Sequence, residues 1–205
     1  MSLVPIIKEY YSDIPLQELR SWVAVALLMA VLQAMPDEWR AMLRYDQDAL
    51  ATGEVWRIFS ANFIHLGWNH LLLNMAGFML IGWLFADEAP PMVWFIVLLV
   101  CGAASSLGLY WFTPDAYWVV GMSGALHGLF VFGALSWIAH SYHMGWGLLL
   151  VVAGKLLWEQ MMGAMPLSEG IVGGPVVTDA HLWGAIGGLC AGLSYYCWRR
   201  LGPRL

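Results

Sequence analysis

Six windows of this chain are apolar over roughly the twenty residues that a helix needs to cross a bilayer, and short polar connectors separate them. They run over residues 19–35, 65–86, 91–113, 121–140, 144–165 and 178–198. The connectors carry the punctuation expected where helices stop: Pro36-Asp37-Glu38, Asp87 to Pro91, Thr113-Pro114-Asp115, and Pro166 to Pro175 with Gly170, Gly173 and Gly174. The pattern predicts an all-α polytopic membrane protein, a bundle of six transmembrane helices. A short cytoplasmic N-terminal segment occupies 1–18, the membrane domain 19–198 and a short basic cytoplasmic tail 199–205. The first window follows a polar stretch and lacks a small-residue cleavage site, so it is expected to be a retained span.

An even number of spans returns both termini to one side. Lys8 and Arg20 before the first span, with Arg199, Arg200 and Arg204 after the last, put that side in the cytoplasm by the positive-inside rule. Arg40, Arg44 and Arg57 in the first connector run against this assignment. Their acidic neighbours Asp37, Glu38, Asp46, Asp48 and Glu54 soften the conflict without removing it, because carboxylates count little in that rule.

Composition strengthens the membrane assignment. Hydrophobic residues make up 60% of the 205 and charged residues 11%, with thirteen Trp and a mean hydropathy of +0.67, outside the range of soluble domains. The formal charge of −5 and the lack of a basic patch exclude a nucleic-acid partner. Cys101, Cys190 and Cys197 fall in or beside apolar stretches without metal-type spacing, and are expected to be packing or lipid-facing residues. No metal or cofactor is expected.

The candidate chemistry begins at Gly121-Met122-Ser123-Gly124, which sets a serine among glycines where an apolar window opens. Polar groups inside a membrane are costly and mark functional sites by default. In the predicted topology spans two, four and six all run inward from the outer face. His65, His70 and Asn74 then lie early in span two, Ser123 and His127 open span four, and Asp179 and His181 open span six. At a rise of ~1.5 Å per residue these form one polar layer below the outer surface.

A serine hydroxyl needs a base to become a nucleophile. Two histidines compete for that role. His127 shares a helix face with Ser123, but side chains lean toward the helix N-terminus, away from the approach required. His181 arrives from another span and is favoured as base, leaving His127 as a polar packing residue. Gly184, Gly188 and Gly192, with Gly124 and Gly128, form the small-residue stripes that let membrane helices touch. His70 and Asn74, about 40° apart round a helix, present donors for an oxyanion beside the Ser123 amide. His65 is about 140° from His70 and is expected to anchor the loop or line the entrance. Asp179 points away from His181 and is expected to cap span six, so a dyad is favoured over a triad. The segment does not fit G-x-S-x-G, because Ala125 occupies the second glycine position.

Together these residues resemble the rhomboid intramembrane serine proteases. Gly121-Met122-Ser123-Gly124 is similar to their GxSG, and His65, His70 and Asn74 to their second-helix pattern. Ala180-His181 with Gly184 and Gly188 is similar to AHxxGxxxG of the sixth helix, and Trp56-Arg57 to their first-loop pair. The resemblance covers about residues 20 to 200. It implies a six-helix fold with Ser123 as nucleophile and His181 as general base. It also implies an oxyanion hole from His70, Asn74 and backbone amides near Ser123, with Gly121 in the turn that holds the serine.

Most rhomboids carry Tyr four residues after the serine, where this chain has His127. The small size, the string Lys155 to Gln160 and the stretch Val177 to Leu182 resemble the rhombosortase branch. That branch is associated with trimming C-terminal tails of exported bacterial proteins, built from a Gly-Gly-containing motif, one transmembrane helix and a basic end. Lys155 and Glu159, one turn apart, are expected to pair within span five, in a structural role or in substrate recognition. The expected protein is thus a serine endopeptidase of the bacterial inner membrane, with its active site toward the periplasm. Its partners are membrane-anchored substrates and the lipid bilayer, and the acyl group passes to water or to an amine. The alternatives are a b-type haem electron carrier with paired histidine ligands and a rhomboid-like pseudoenzyme that binds membrane helices.

Overall fold

The structure, a computed structural model, describes residues 16–201. The N-terminal segment assigned to 1–18 lies outside the described residues as far as residue 15, and so does the end of the basic tail with Arg204. Six long helices occupy the six apolar windows: α1 (Leu16–Gln33), α2 (Trp68–Phe85), α3 (Pro91–Phe112), α4 (Ser123–Ala139), α5 (Met144–Met162) and α6 (Thr178–Leu201). Two stretches, Trp68–Glu88 and Pro91–Phe112, are long and apolar enough to cross a membrane by length and composition alone. Leu19–Gln33 and Ser123–Ala139 are apolar but shorter. Pro91 at the first turn of α3 gives that helix a defined start, since a proline there forfeits no helical hydrogen bond.

The central element is α4. Gly124, Ala125, Leu126, Gly128, Leu129, Val131, Phe132, Gly133, Ala134, Ser136 and Trp137 are all buried, so the helix is enclosed on nearly every side. Beneath its far end an aromatic cluster joins α1, α2, α3 and α4. Trp22 lies 4.6 Å from Phe78 and 5.4 Å from Trp94, and Trp94 makes an edge contact with Phe132 at 5.0 Å. On the other side α4 meets α6 through its glycines. A Cβ placed on Gly184 would stand 2.0 Å from the Gly124 carbonyl oxygen, and one on Gly188 would stand 2.0 Å from that of Gly128. The two backbones are in direct contact, which is what the small-residue stripes predict.

By contrast, α5 is held along one narrow seam, where Gly145, Val152 and Glu159 are its buried residues among those described. The apolar residues around the last of these, Leu157, Trp158, Met161 and Met162, face outward.

The first connector is held by polar contacts and by a small apolar cluster in which Tyr45, Leu50 and Ala61 pack with Leu109, Ala116 and Ala180. It contains three short helices, Asp37–Ala41, Gln47–Ala51 and Arg57–Ser60, and a two-residue strand β1 (Tyr45–Asp46). β1 pairs antiparallel with β2 (Trp118–Val119), so that Tyr45 faces Val119 and both connectors lie on one side of the bundle. Burial pushes the Tyr45 phenol up to about 12, which keeps it neutral. The arginines that oppose the positive-inside assignment are all engaged locally: Arg40 with Asp37, Arg44 with Asp46 at 3.2 Å, and Arg57 with Glu54 at 2.6 Å. Arg57 Nη1 also donates to the carbonyls of Ala41 and Arg44 at 2.8 and 2.9 Å. Hydrogen bonds from a charged group are worth about 1.5–3 kcal/mol each, so Arg57→Ala is expected to destabilise the connector by about 2 kcal/mol. Limited proteolysis checks this: faster cleavage within residues 37–60 is expected, and wild-type digestion would rule it out.

Candidate active site

The turn before α4 is built on Gly121, whose φ of +114° lies in the region that only glycine enters freely. Space requires glycine there too. A Cβ would meet His70 Cε1 at 2.5 Å and Nε2 at 2.7 Å. The Gly121 amide donates to the Ala61 carbonyl at 3.0 Å, which ties the turn to the end of the first connector. Ser123 follows as the first residue of α4. Amides in a first helical turn have no acceptor within the helix and sit at its positive end. The backbone N–H groups of Ser123 and Gly124 are therefore suited to bind an anionic oxygen.

His181 is brought to Ser123 by α6. The glycine seam begins one turn further along, and Ser105 Oγ of α3 donates to the Ala180 carbonyl at 3.1 Å. Asp179, expected to cap α6, accepts from Thr113 Oγ1 at 2.7 Å and so ties α6 to the end of α3. Between these anchors the His181 ring stands with Nε2 2.9 Å from Ser123 Oγ. His127 Nδ1 lies 2.7 Å from the carbonyl of Ser123. Its ring stacks on that of His181 with centroids 4.3 Å apart and planes at 20°, which limits rotation of the base. His127 thus packs between the serine turn and the His181 ring.

A third group completes the layer. Glu159 Oε2 lies 2.9 Å from His181 Nδ1, and Glu159 Oε1 lies 2.5 Å from Lys155 Nζ. The Lys155–Glu159 pair stands at the predicted spacing, and its carboxylate also reaches His181, a contact with no counterpart in the sequence pattern. Asp179 shares a helix with the histidine, whereas this carboxylate arrives from α5. The signal was a charged pair inside an apolar window, since a buried carboxylate without a partner costs several kcal/mol. Side-chain exposure is 2% for Glu159, 6% for His181 and 35% for Lys155.

Opposite the serine, the Leu66 amide donates to His70 Nδ1 at 3.4 Å. That bond leaves the proton on Nε2, the nitrogen beside Gly121. Asn74 Nδ2 donates to the His70 carbonyl at 3.1 Å and keeps one further proton. His65 does not join them. The span begins at Trp68 rather than at residue 65, and His65 lies in the preceding loop. Its amide donates to Gln33 Oε1 at 3.1 Å and its carbonyl accepts from Arg40. Its ring is buried against His70 at 5.0 Å, so it anchors the loop and does not line the cavity.

The remaining candidates, Ser123, His181, His70, Asn74, Gly121, His127, Lys155 and Glu159, all border one cavity of about 520 Å³, which Met165 and Val176 of the α5–α6 loop also line. Among the described residues, His127, Glu159 and His181 form the group whose ligand atoms lie within 4.8 Å of one another. These donors are already hydrogen-bonded within the site. Both ring nitrogens of His181 are engaged, and His127 packs on its face.

The arrangement is that of a hydroxyl beside a base, facing donors across a cavity in an apolar bundle. The rhomboid domain model matches residues 52–198. The chain belongs to the rhomboid family. This rhomboid chain is 30% identical over 142 residues to "Rhomboid-like protein 11, chloroplastic" of Arabidopsis thaliana, which covers 65% of the chain and 50% of that protein. It is 32% identical over 96 residues to "Putative rhomboid protease YdcA" of Bacillus subtilis (strain 168), covering 45% of the chain and 46% of that protein. The matches thus span about half the length of each relative. The rhomboid match begins before α2 and includes every residue bordering the cavity named above.

Proposed function

We propose that this rhomboid is an intramembrane serine endopeptidase in which Ser123 is the nucleophile and His181 the general base. The observation that carries the proposal is the 2.9 Å contact between Ser123 Oγ and His181 Nε2 at a cavity wall that faces His70 and Asn74. All six long helices cross the bilayer in this reading, with both termini in the cytoplasm and the cavity near the outer face of a bacterial inner membrane. Pairing of the connector arginines with neighbouring carboxylates supports that orientation.

In the reaction, Ser123 Oγ attacks the scissile carbonyl carbon as its proton passes to His181 Nε2. The oxygen that becomes anionic is met by the amides of Ser123 and Gly124, His70 Nε2–H and the second proton of Asn74 Nδ2. The tetrahedral intermediate collapses, the C–N bond breaks, and the departing amine takes the proton from His181. Water, activated by His181, then attacks the acyl ester and releases Ser123; an amine in the place of water gives transfer instead of hydrolysis.

The substrates are exported proteins with a C-terminal tail of a Gly-Gly-containing motif, a membrane helix and a basic end, as the likeness to the rhombosortase branch suggests. The α5–α6 loop borders the cavity and is the element that moves to admit the tail. The test compares, by mass spectrometry, the C-termini of membrane and secreted proteins from cells carrying the wild type or Ser123→Ala. Intact tails in the variant, with the variant still present in the membrane, are expected. Normal processing by Ser123→Ala would sink the proposal, and the mass of the new C-terminus distinguishes hydrolysis from amine transfer. A pseudoenzyme would give identical termini in both strains.

A further inference from the structure

One carboxylate in the bundle points against the grain of its helix. On α5, Leu157, Trp158, Met161 and Met162 face outward, while Glu159, 3% exposed, is turned inward. Its two oxygens are both engaged, Oε1 by Lys155 Nζ at 2.5 Å and Oε2 by His181 Nδ1 at 2.9 Å. A carboxylate fixed at both oxygens has a defined position, and the group it touches is the ring that touches Ser123 Oγ.

We infer that Glu159, clamped by Lys155, is a positioning residue that sets the tautomer and direction of His181, so that the site operates with three residues and not two. This rests on the reading of Ser123 as nucleophile. An ionised carboxylate only accepts hydrogen bonds, so the His181 proton resides on Nδ1 and the lone pair of Nε2 faces the serine hydroxyl. When Ser123 gives up its proton, the imidazolium that forms has its charge next to Glu159. His127 fixes the plane of the ring by stacking, and Glu159 fixes its rotation within that plane.

The positioning group is also carried by the long helix with the narrowest seam. Gly145 and Val152 hold the first half of α5, and Glu159 is the buried contact of its last turns. Displacement of the end of α5 therefore separates the base from its carboxylate while Ser123 and His181 stay together on the glycine seam.

The test uses the full chain in detergent micelles and an alkyl fluorophosphonate, which phosphonylates an activated serine with loss of fluoride and needs no substrate sequence. Glu159→Gln keeps the shape and loses the charge. Its labelling is expected to slow by about 10²–10⁴-fold at an unchanged thermal midpoint. Glu159→Asp is expected to recover part of that rate, and Lys155→Met to lose a smaller part. Proton NMR of the wild type supplies a readout that a merely structural role would not produce: a low-field Nδ1–H resonance, absent in His181→Asn and displaced upfield in Glu159→Gln. Glu159→Gln labelled within about twofold of wild type would overturn the inference, and so would a wild type that lacks the low-field resonance. The resonance decides the matter even if no Glu159 variant folds. Failure of the underlying reading is distinct, because Ser123→Ala would then label as well as the wild type.

Discussion

His181→Ala is expected to slow phosphonylation of Ser123 by a fluorophosphonate by at least about 10⁴-fold, since removing the base of a serine hydrolase leaves only the small residual rate supplied by the oxyanion donors and binding. The geometry makes the loss specific. Ser123 Oγ has His181 Nε2 at 2.9 Å, while His127, the other candidate base, has its Nδ1 committed to the Ser123 carbonyl at 2.7 Å. No second base stands ready to take the proton. The variant retains the Gly124–Gly184 contact and the Lys155–Glu159 pair, so it accumulates as a folded protein. Labelling rates measured beside a thermal unfolding curve separate loss of chemistry from loss of structure. A His181→Ala protein labelled within tenfold of wild type would transfer the role of base to another group.

The second large effect falls on stability. Gly184→Ala introduces a methyl group 2.0 Å from the carbonyl oxygen of Gly124. The obstacle is backbone on an enclosed helix, so it cannot be relieved by turning a side chain. Overpacking in well-packed cores costs typically 1–3 kcal/mol and sometimes more, and here about 3 kcal/mol or above is expected. Activity falls along with stability, because separating α4 from α6 moves Ser123 from His181. Denaturant unfolding of the purified variant in mild detergent measures the first effect and fluorophosphonate labelling the second. An unchanged midpoint would mean that the seam is looser than the contact indicates.

Much of this site is legible in the chain because its parts carry periodic or costly signals. The six apolar windows coincide with six helices to within a few residues, as bilayer-length apolar runs leave little choice. The stripes at Gly124 and Gly128 and at Gly184 and Gly188 announce the α4–α6 contact, since small residues every fourth position are what lets two helices meet. Three features are not legible there. The carboxylate beside His181 is one, because distance along a single helix is readable and the rotation of α5 about its own axis is not. The charge pair of Lys155 and Glu159 marked the right helix, but pairing alone satisfies both residues and hides the third contact. The β1–β2 pair is two residues long on each side, too short for an alternating pattern. His65 falls inside the second apolar window because that window extends past the true start of the helix at Trp68.

That two-strand clasp also fixes an order of assembly. Tyr45 and Asp46 are synthesised after α1, yet their partners Val119 and Trp118 follow the end of α3. Synthesis proceeds from the N-terminus at a finite rate. The first connector therefore waits with its strand edge unpaired until three helices have been made, and the Tyr45 side chain is covered only then. Ser123 comes a few residues after β2. The nucleophile thus enters the bundle directly behind the strand that closes the first connector, and His181 arrives last, with the helix that locks the pair together.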